Sequence, residues 1–168
     1  MKSFVSTILL CLIMICTINP CYAYPNEQDG FRGIPWGTSY ESVKGQLVFR
    51  EHAHDCGGID YYNRINDPMI FGAAQLTDLV YGFWHGKFCT VILATPESNS
   101  EAMLSALQLR FEQGKQSDRA PGYYFWPGNE TFITYSTTLQ AGETIVSMES
   151  TLINKEIDNW QAQERTVN

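Results

Sequence analysis

The segment that most restricts the fold is Leu76 to Pro96, LTDLVYGFWHGKFCTVILATP. Leu79, Tyr81 and Phe83 alternate with other residues, and after Trp-His-Gly-Lys the residues Cys89, Val91 and Leu93 do the same. Two period-two runs of β-branched and aromatic residues around a short Gly-containing link predict a β-hairpin turning at His85-Gly86. The alternation puts Cys89 on the inward side with Val91 and Leu93.

A second hairpin is predicted in APGYYFWPGNETFITYSTTLQAGETIVSMES. Ile133 and Tyr135 alternate with polar residues, Gln140-Ala141-Gly142 supplies the loop, and Val146 and Met148 return. Between the hairpins, Ser98 and Glu101 stand at capping-box spacing, Leu104, Leu107 and Phe111 form a helical stripe, and Gly114 is placed to end the helix. Thr38 and Glu41 repeat the capping-box spacing ahead of Tyr40, Val43 and Leu47, which predicts a first helix of about ten residues, weakened by Gly45. A strand is expected over 59–64, a turn at Asp67-Pro68, and a closing helix with Ile153, Ile157 and Trp160 on one face.

Helix, hairpin, helix, hairpin, helix, each with one apolar side, predicts an α+β two-layer sandwich. Its antiparallel sheet of about four to six strands carries the helices on one face. Phe83-Trp-His-Gly86 and Phe125-Trp-Pro-Gly128 echo one another and suggest an internal repeat.

The chain opens with Lys2, an apolar run FVSTILLCLIMICT from Phe4, and then INPCYAYPNE. A positive start, a run of roughly 14 apolar residues and small residues near a cleavage point form a secretory signal pattern, too short for a stable membrane span. Cleavage after Ala23 is expected, so residues 1–23 are the signal peptide and 24–168 a single domain. Acylation at Cys21 is the rival reading, disfavoured by Asn-Pro in the lipobox. The formal charge is −7, and losing Lys2 makes it one unit more negative. Such a surface opposes nucleic acid and anionic lipid. The expected location is the periplasm or the medium.

Three of the five cysteines fall in the proposed signal segment, leaving Cys56 and Cys89. In an oxidising compartment an even pair predicts a disulfide. Closing a loop of about 34 residues stabilises a fold by roughly 3 to 4 kcal/mol on the chain-entropy model.

Arg50 to Asp60, REHAHDCGGID, is the one cluster with metal-ligand chemistry. In an extended segment His52 and His54 point the same way and would offer two imidazoles to zinc or copper, needing further ligands from elsewhere. Oxidation of Cys56 would remove it from such a site. No G-x-S-x-G, phosphate loop, H-E-x-x-H or Cys-x-x-Cys is present, the acids fall at predicted caps and turns, and no catalytic residue or cofactor is assigned. The aromatic residues Trp36, Trp84, Tyr123, Tyr124 and Trp126 are the candidates for a binding platform, set against ordinary core and cross-strand packing.

Phe31-Arg-Gly-Ile-Pro-Trp-Gly-Thr-Ser39, the later YGFWHGKF and the terminal hairpin resemble small secreted bacterial proteins that open with a Phe, a Gly-Ile-Pro-Trp-Gly-Thr/Ser run and a capped helix. The resemblance implies an exported α+β domain and no assigned chemistry. A lesser likeness, in the Gly-Thr-Ser start of the first helix and Val43, is to small lipoproteins of outer-membrane assembly. The function expected is a non-enzymatic exported domain that binds a protein or cell-envelope component. The alternatives are a metal-binding periplasmic protein using His52 and His54, and a small hydrolase with an unidentified site.

Overall fold

The computed structural model describes residues 23–54, 57–138 and 142–167. The signal segment, Cys56 and the Gln140-Ala141 part of the second hairpin loop lie outside the described residues. Among the described residues no helix is long and apolar enough to cross a membrane.

The elements run β1 (Gly30–Phe31), β2 (Ile34–Pro35), α1 (Tyr40–Val43), β3 (Leu47–Ala53), β4 (Ile59–Arg64), β5 (Ile70–Phe71), β6 (Ala74–Gln75), β7 (Asp78–Trp84) and β8 (Lys87–Pro96). Then follow α2 (Ser100–Phe111), β9 (Lys115–Gln116), β10 (Tyr123–Trp126), β11 (Thr131–Thr138), β12 (Glu143–Ser150) and α3 (Thr151–Val167). The main sheet has eight strands in the order β3-β4-β7-β8-β12-β11-β10-β9, every neighbour antiparallel. The α+β class therefore stands, while the expected four to six strands become eight. The extra strands come from the charged stretch before β4 and from the short β9 and β10, which carry no alternation long enough to read.

Strand order reveals two halves. Helix α1 precedes the meander β3-β4-β7-β8, helix α2 precedes β9-β10-β11-β12, and the last strands of the two meanders pair with each other. The Phe-Trp-x-Gly echo does not report this symmetry. Phe83-Trp84 ends the third strand of the first half, whereas Phe125-Trp126 ends the second strand of the second half.

Tyr81, Val91, Leu93, Ile133, Val146 and Met148 all face one side, where Met103, Leu107 and Phe111 of α2 complete the main core. Tyr40 of α1 packs there too, its ring 4.8 Å from Tyr62 and 5.9 Å from Phe83. A smaller cluster holds Ile59, Trp84, Cys89 and, from α3, Ile153 and Ile157. Phe83 belongs to the first cluster and Trp84 to the second, and neighbours on a strand point to opposite faces. Helix α3 thus covers the other side of the sheet, so the helices do not all share one face. Its stripe of Ile153, Ile157 and Trp160 is as expected, but the stripe alone does not say which face it meets.

The predicted capping boxes do not form. Thr38 Oγ1 donates to the Pro35 carbonyl at 2.7 Å, Glu41 pairs with Lys44 at 2.6 Å, and the first helix spans four residues before a single 3₁₀ turn, Lys44–Gln46. Leu47 enters the core from a strand instead of extending that helix. Ser98 lies in a 3₁₀ turn, Glu97–Asn99, and α2 begins at Ser100 without a side-chain cap. At its far end Glu112 takes φ 60°, ahead of Gly114. Gly114 serves packing: a Cβ there would come within 2.5 Å of the Trp126 ring, whose Nε1 donates to the Glu112 carbonyl at 3.0 Å.

The segment before β1 is a clasp. Tyr24 donates to the Thr131 carbonyl at 3.1 Å, and Glu27 Oε1 accepts from the amides of Glu130 (2.6 Å) and Thr131 (2.9 Å). The β7–β8 hairpin turns at His85-Gly86, as expected, both with positive φ (47° and 73°), the two-residue turn whose twist matches antiparallel strands.

Two bulges set side-chain direction. Gly82 pairs with Thr90 and Phe83 with Phe88, so Cys89 is an extra residue on β8. This insertion takes Cys89 off the Val91 and Leu93 face and under α3, correcting the direction expected from simple alternation. On β3, Phe49 pairs with Tyr62 and Glu51 with Tyr61, leaving Arg50 as the extra residue. Gly82 faces the tightest part of this region, where a Cβ would stand 2.4 Å from Thr90 Cγ2 and 2.9 Å from Tyr61 Cε1. Gly82→Ala is predicted to destabilise the protein by about 1–3 kcal/mol through overpacking, read as a lower urea midpoint at unchanged slope. An unchanged midpoint would contradict the register described.

Candidate functional site

The five aromatic residues singled out in the sequence do not gather. Trp36 donates from Nε1 to Thr131 Oγ1 at 2.7 Å and packs on Phe88 at 4.7 Å on the main-core side. Trp126 is 1% exposed in that core, and Tyr124 packs beside it, edge-on to Tyr135 at 5.8 Å. Trp84 lies beneath α3 and donates from Nε1 to the Gly57 carbonyl at 3.0 Å. Of the five, Tyr123 alone lies on the uncovered part of the outward face, where Phe125 stands 6.3 Å away and Phe132 another 6.4 Å beyond. Phe125 and Phe132 were legible in principle: when Ile133, Tyr135 and Trp126 point inward, their neighbours must point out.

The outward face has two unlike parts. Over the end of β7, β8 and β4 it is covered by Ile153 and Ile157 of α3. Beyond that cover, Val80, Ile92, Ala94 and Ile145 form the floor of a hollow of about 660 Å³, bordered by Arg50 and Asp78. A second hollow of about 260 Å³ runs along α3. Tyr61 and Ile92 line both, so the two adjoin. The β3 bulge frees Arg50 from the pleat alternation, and its guanidinium binds the Asp78 carboxylate and lies 3.5 Å from Glu51. With Glu51, Asp78 and Glu143 against a single guanidinium, this end of the face is acidic. The further strands β10–β12 present Tyr123, Phe125, Phe132 and Ile145, all half-buried and none taken into either core cluster.

The histidine-rich stretch is edge strand β3, in its second half, followed by Gly57 and Gly58 in positive φ and then β4. His52 Nδ1 meets Asp60 Oδ1 at 2.6 Å, and its ring lies edge-on to His54 with centroids 4.5 Å apart. A carboxylate on Nδ1 fixes the imidazole in the way that supporting carboxylates do around metals. Among the described residues, though, no three of His, Cys, Asp or Glu converge to hold an ion. His85 joins neither, since its ring stacks on Trp84 at 4.2 Å and 11°.

Cys89 is a buried free thiol that donates to the Gly82 carbonyl at 3.4 Å. Desolvation pushes its pKa up to about 12, with a smaller push from Glu149, so it stays protonated and unsuited to nucleophilic attack at neutral pH. Its expected partner, Cys56, is outside the described residues. Compared with known protein families, with curated proteins and with solved structures, the chain matches none.

Proposed function

We infer that this is an exported binding domain, not an enzyme, and that it takes a protein or cell-envelope partner on the outward face of its sheet. The observation that carries the reading is the uncovered part of that face. Half-buried Tyr123, Phe125, Phe132, Ile92 and Ile145 share that face, with Ser147, Thr134 and Ser136 set between the aromatic and the aliphatic residues, next to a hollow with an acidic border. Aromatic and aliphatic side chains fixed on a sheet lose little entropy on association, which is the property of residues that dominate protein interfaces. Catalysis finds less support: Cys89 is fully buried and the His52-Asp60 contact sits at an exposed sheet edge.

The test is capture of a partner from the envelope fraction of the source cells by the wild-type domain and by an Ile92→Glu/Phe125→Ala double variant. Loss of about tenfold or more in capture, at unchanged melting temperature, is expected where apolar contacts at an interface centre are removed. Equal capture would sink the reading.

Export also carries the proposal that Cys56 and Cys89 are joined in the mature protein. Support comes from Gly57, the residue after Cys56, which is buried and whose added Cβ would lie 3.2 Å from Ile157 Cγ2, in the cluster that contains Cys89. The bond would tie the β3–β4 connection to the sheet beneath α3, and Cys89 would exchange its contact with the Gly82 carbonyl for it. Thiol counting on the denatured, unreduced mature protein is expected to find none, and two titratable thiols would reject the bond.

A further inference from the structure

On the side of the molecule that carries α1, between the end of β4 and the loop after it, lies a hollow of about 490 Å³ lined by Arg32, Gln46, Arg64, Ile65, Asn66 and Pro68, with Asp67 behind them. Its charges do not balance. Arg32 donates from Nη1 to Asp67 Oδ1 at 2.8 Å and to the Pro68 carbonyl at 2.7 Å, and from Nη2 to the Ile70 carbonyl at 2.6 Å. The Tyr81 hydroxyl donates to the other Asp67 oxygen. Burial, and then the bond to Asp67, raise the Tyr81 pKa and keep that hydroxyl protonated. The Asp67 carboxylate, 6% exposed, is thereby used on both oxygens and turned away from solvent.

Among the described residues Arg64 has no such partner. It donates from Nε (3.2 Å) and Nη2 (2.8 Å) to Gln46 Oε1 and from Nη1 to the Arg32 carbonyl at 3.2 Å, and the Tyr81 hydroxyl lies in its reach. Each of these acceptors is neutral. A guanidinium carries five N–H groups in one plane, and its strongest partner is a carboxylate or phosphate. Two cations and one saturated carboxylate leave one positive charge at this hollow, on a chain whose total is −7.

The apolar residues lining the hollow are Ile65, 51% exposed, and Pro68. Met69 and Ile70, the next residues after Pro68, are exposed as well. The backbone that shapes it is also unusual at Arg32, which adopts the left-handed region (φ 47°), a conformation that costs free energy in a long side chain and is retained where surrounding contacts impose it.

We propose that this hollow binds the free C-terminal carboxylate of an apolar peptide or protein tail, with Arg64 as its charged anchor and Ile65 and Pro68 as the apolar contact. One excess charge matches one carboxylate. An anionic membrane would supply the same head-group chemistry, but it presents many negative charges to an acidic protein, which repels it. The site lies apart from the outward sheet face and does not depend on that reading.

The probe is acetyl-Leu-Val-Ile as the free acid, compared with its C-terminal amide and with vesicles of phosphatidylglycerol and phosphatidylethanolamine, followed by amide chemical-shift titration of the full mature chain. The free acid is expected to bind at least about tenfold more tightly than the amide, the scale of one hydrogen-bonded charge contact. Arg64→Gln is expected to remove that difference. Gln46→Glu, which keeps Arg64 but gives it an internal carboxylate, should do the same and decides the matter if Arg64→Gln does not fold. Ile92→Glu on the outward face should leave peptide affinity unchanged. Equal binding of acid and amide, unchanged affinity in a folded Arg64→Gln or Gln46→Glu variant, loss of peptide binding in Ile92→Glu, or binding of the vesicles without the peptide would each overturn the assignment.

Discussion

Everything in this structure hangs on the ladder between β8 and β12. Seven residue pairs, from Glu143 with Pro96 to Glu149 with Thr90, join two four-stranded meanders into one sheet. The side chains of that ladder alternate between Val91, Leu93, Val146 and Met148, which build the main core, and Thr90, Ile92, Ile145 and Ser147, which face outward. Because the pleat has period two, the register that buries the first set obliges the second to be where it is. Slipping the ladder by one residue would bury Ser147 and expose Met148, a loss no local rearrangement offsets.

Asymmetric covering of this sheet is what gives the molecule a candidate surface. The inner face is closed along the sheet by the segment through β1 and β2, by α1 and by α2. The outer face receives one helix, α3, whose buried residues meet Ile59, Trp84 and Cys89 in the first half. Beyond it the described residues leave the sheet open. Apolar and aromatic residues at outward strand positions weaken solubility and contribute nothing to the main core, so their clustering on β10–β12 is the feature that folding alone explains least. Edge strand β3, by contrast, is guarded: a bulge at Arg50 and the charged or polar Arg50, Glu51 and His52 discourage pairing with another chain.

Legibility in the sequence followed the strength of periodicity. Leu79-Tyr81-Phe83, Ile133-Tyr135 and Val146-Met148 could be read as strands, the 59–64 strand matched β4 from end to end, and the stripe of α3 was plain. What failed did so for identifiable reasons. The charged β3 reads as a loop because Arg50, Glu51 and His52 are polar and the bulge at Arg50 breaks its alternation. Cys89 was turned to the wrong face because one inserted residue reverses parity, and parity is invisible until the partner strand is known. Thr38 and Ser98 had cap spacing, but a nearby carbonyl and a 3₁₀ turn took their places. The aromatic platform expected at five residues mixed both faces of the sheet, and Tyr123 alone lies on the open one. Nothing in the sequence pairs Arg32 and Arg64, 32 residues apart, since only the fold brings the end of β4 against the β1–β2 turn.

A binding surface that spans β7 to β10 needs the two halves fixed relative to each other as one sheet. Native-state hydrogen exchange tests this most directly. Amides of β7, β8, β11 and β12 should all open with the free energy of global unfolding, as one cooperative unit. If the two meanders open with separate free energies, or if the β8 and β12 amides exchange before those of β7 and β11, the ladder is not what holds the molecule together and the continuous outward face is lost with it.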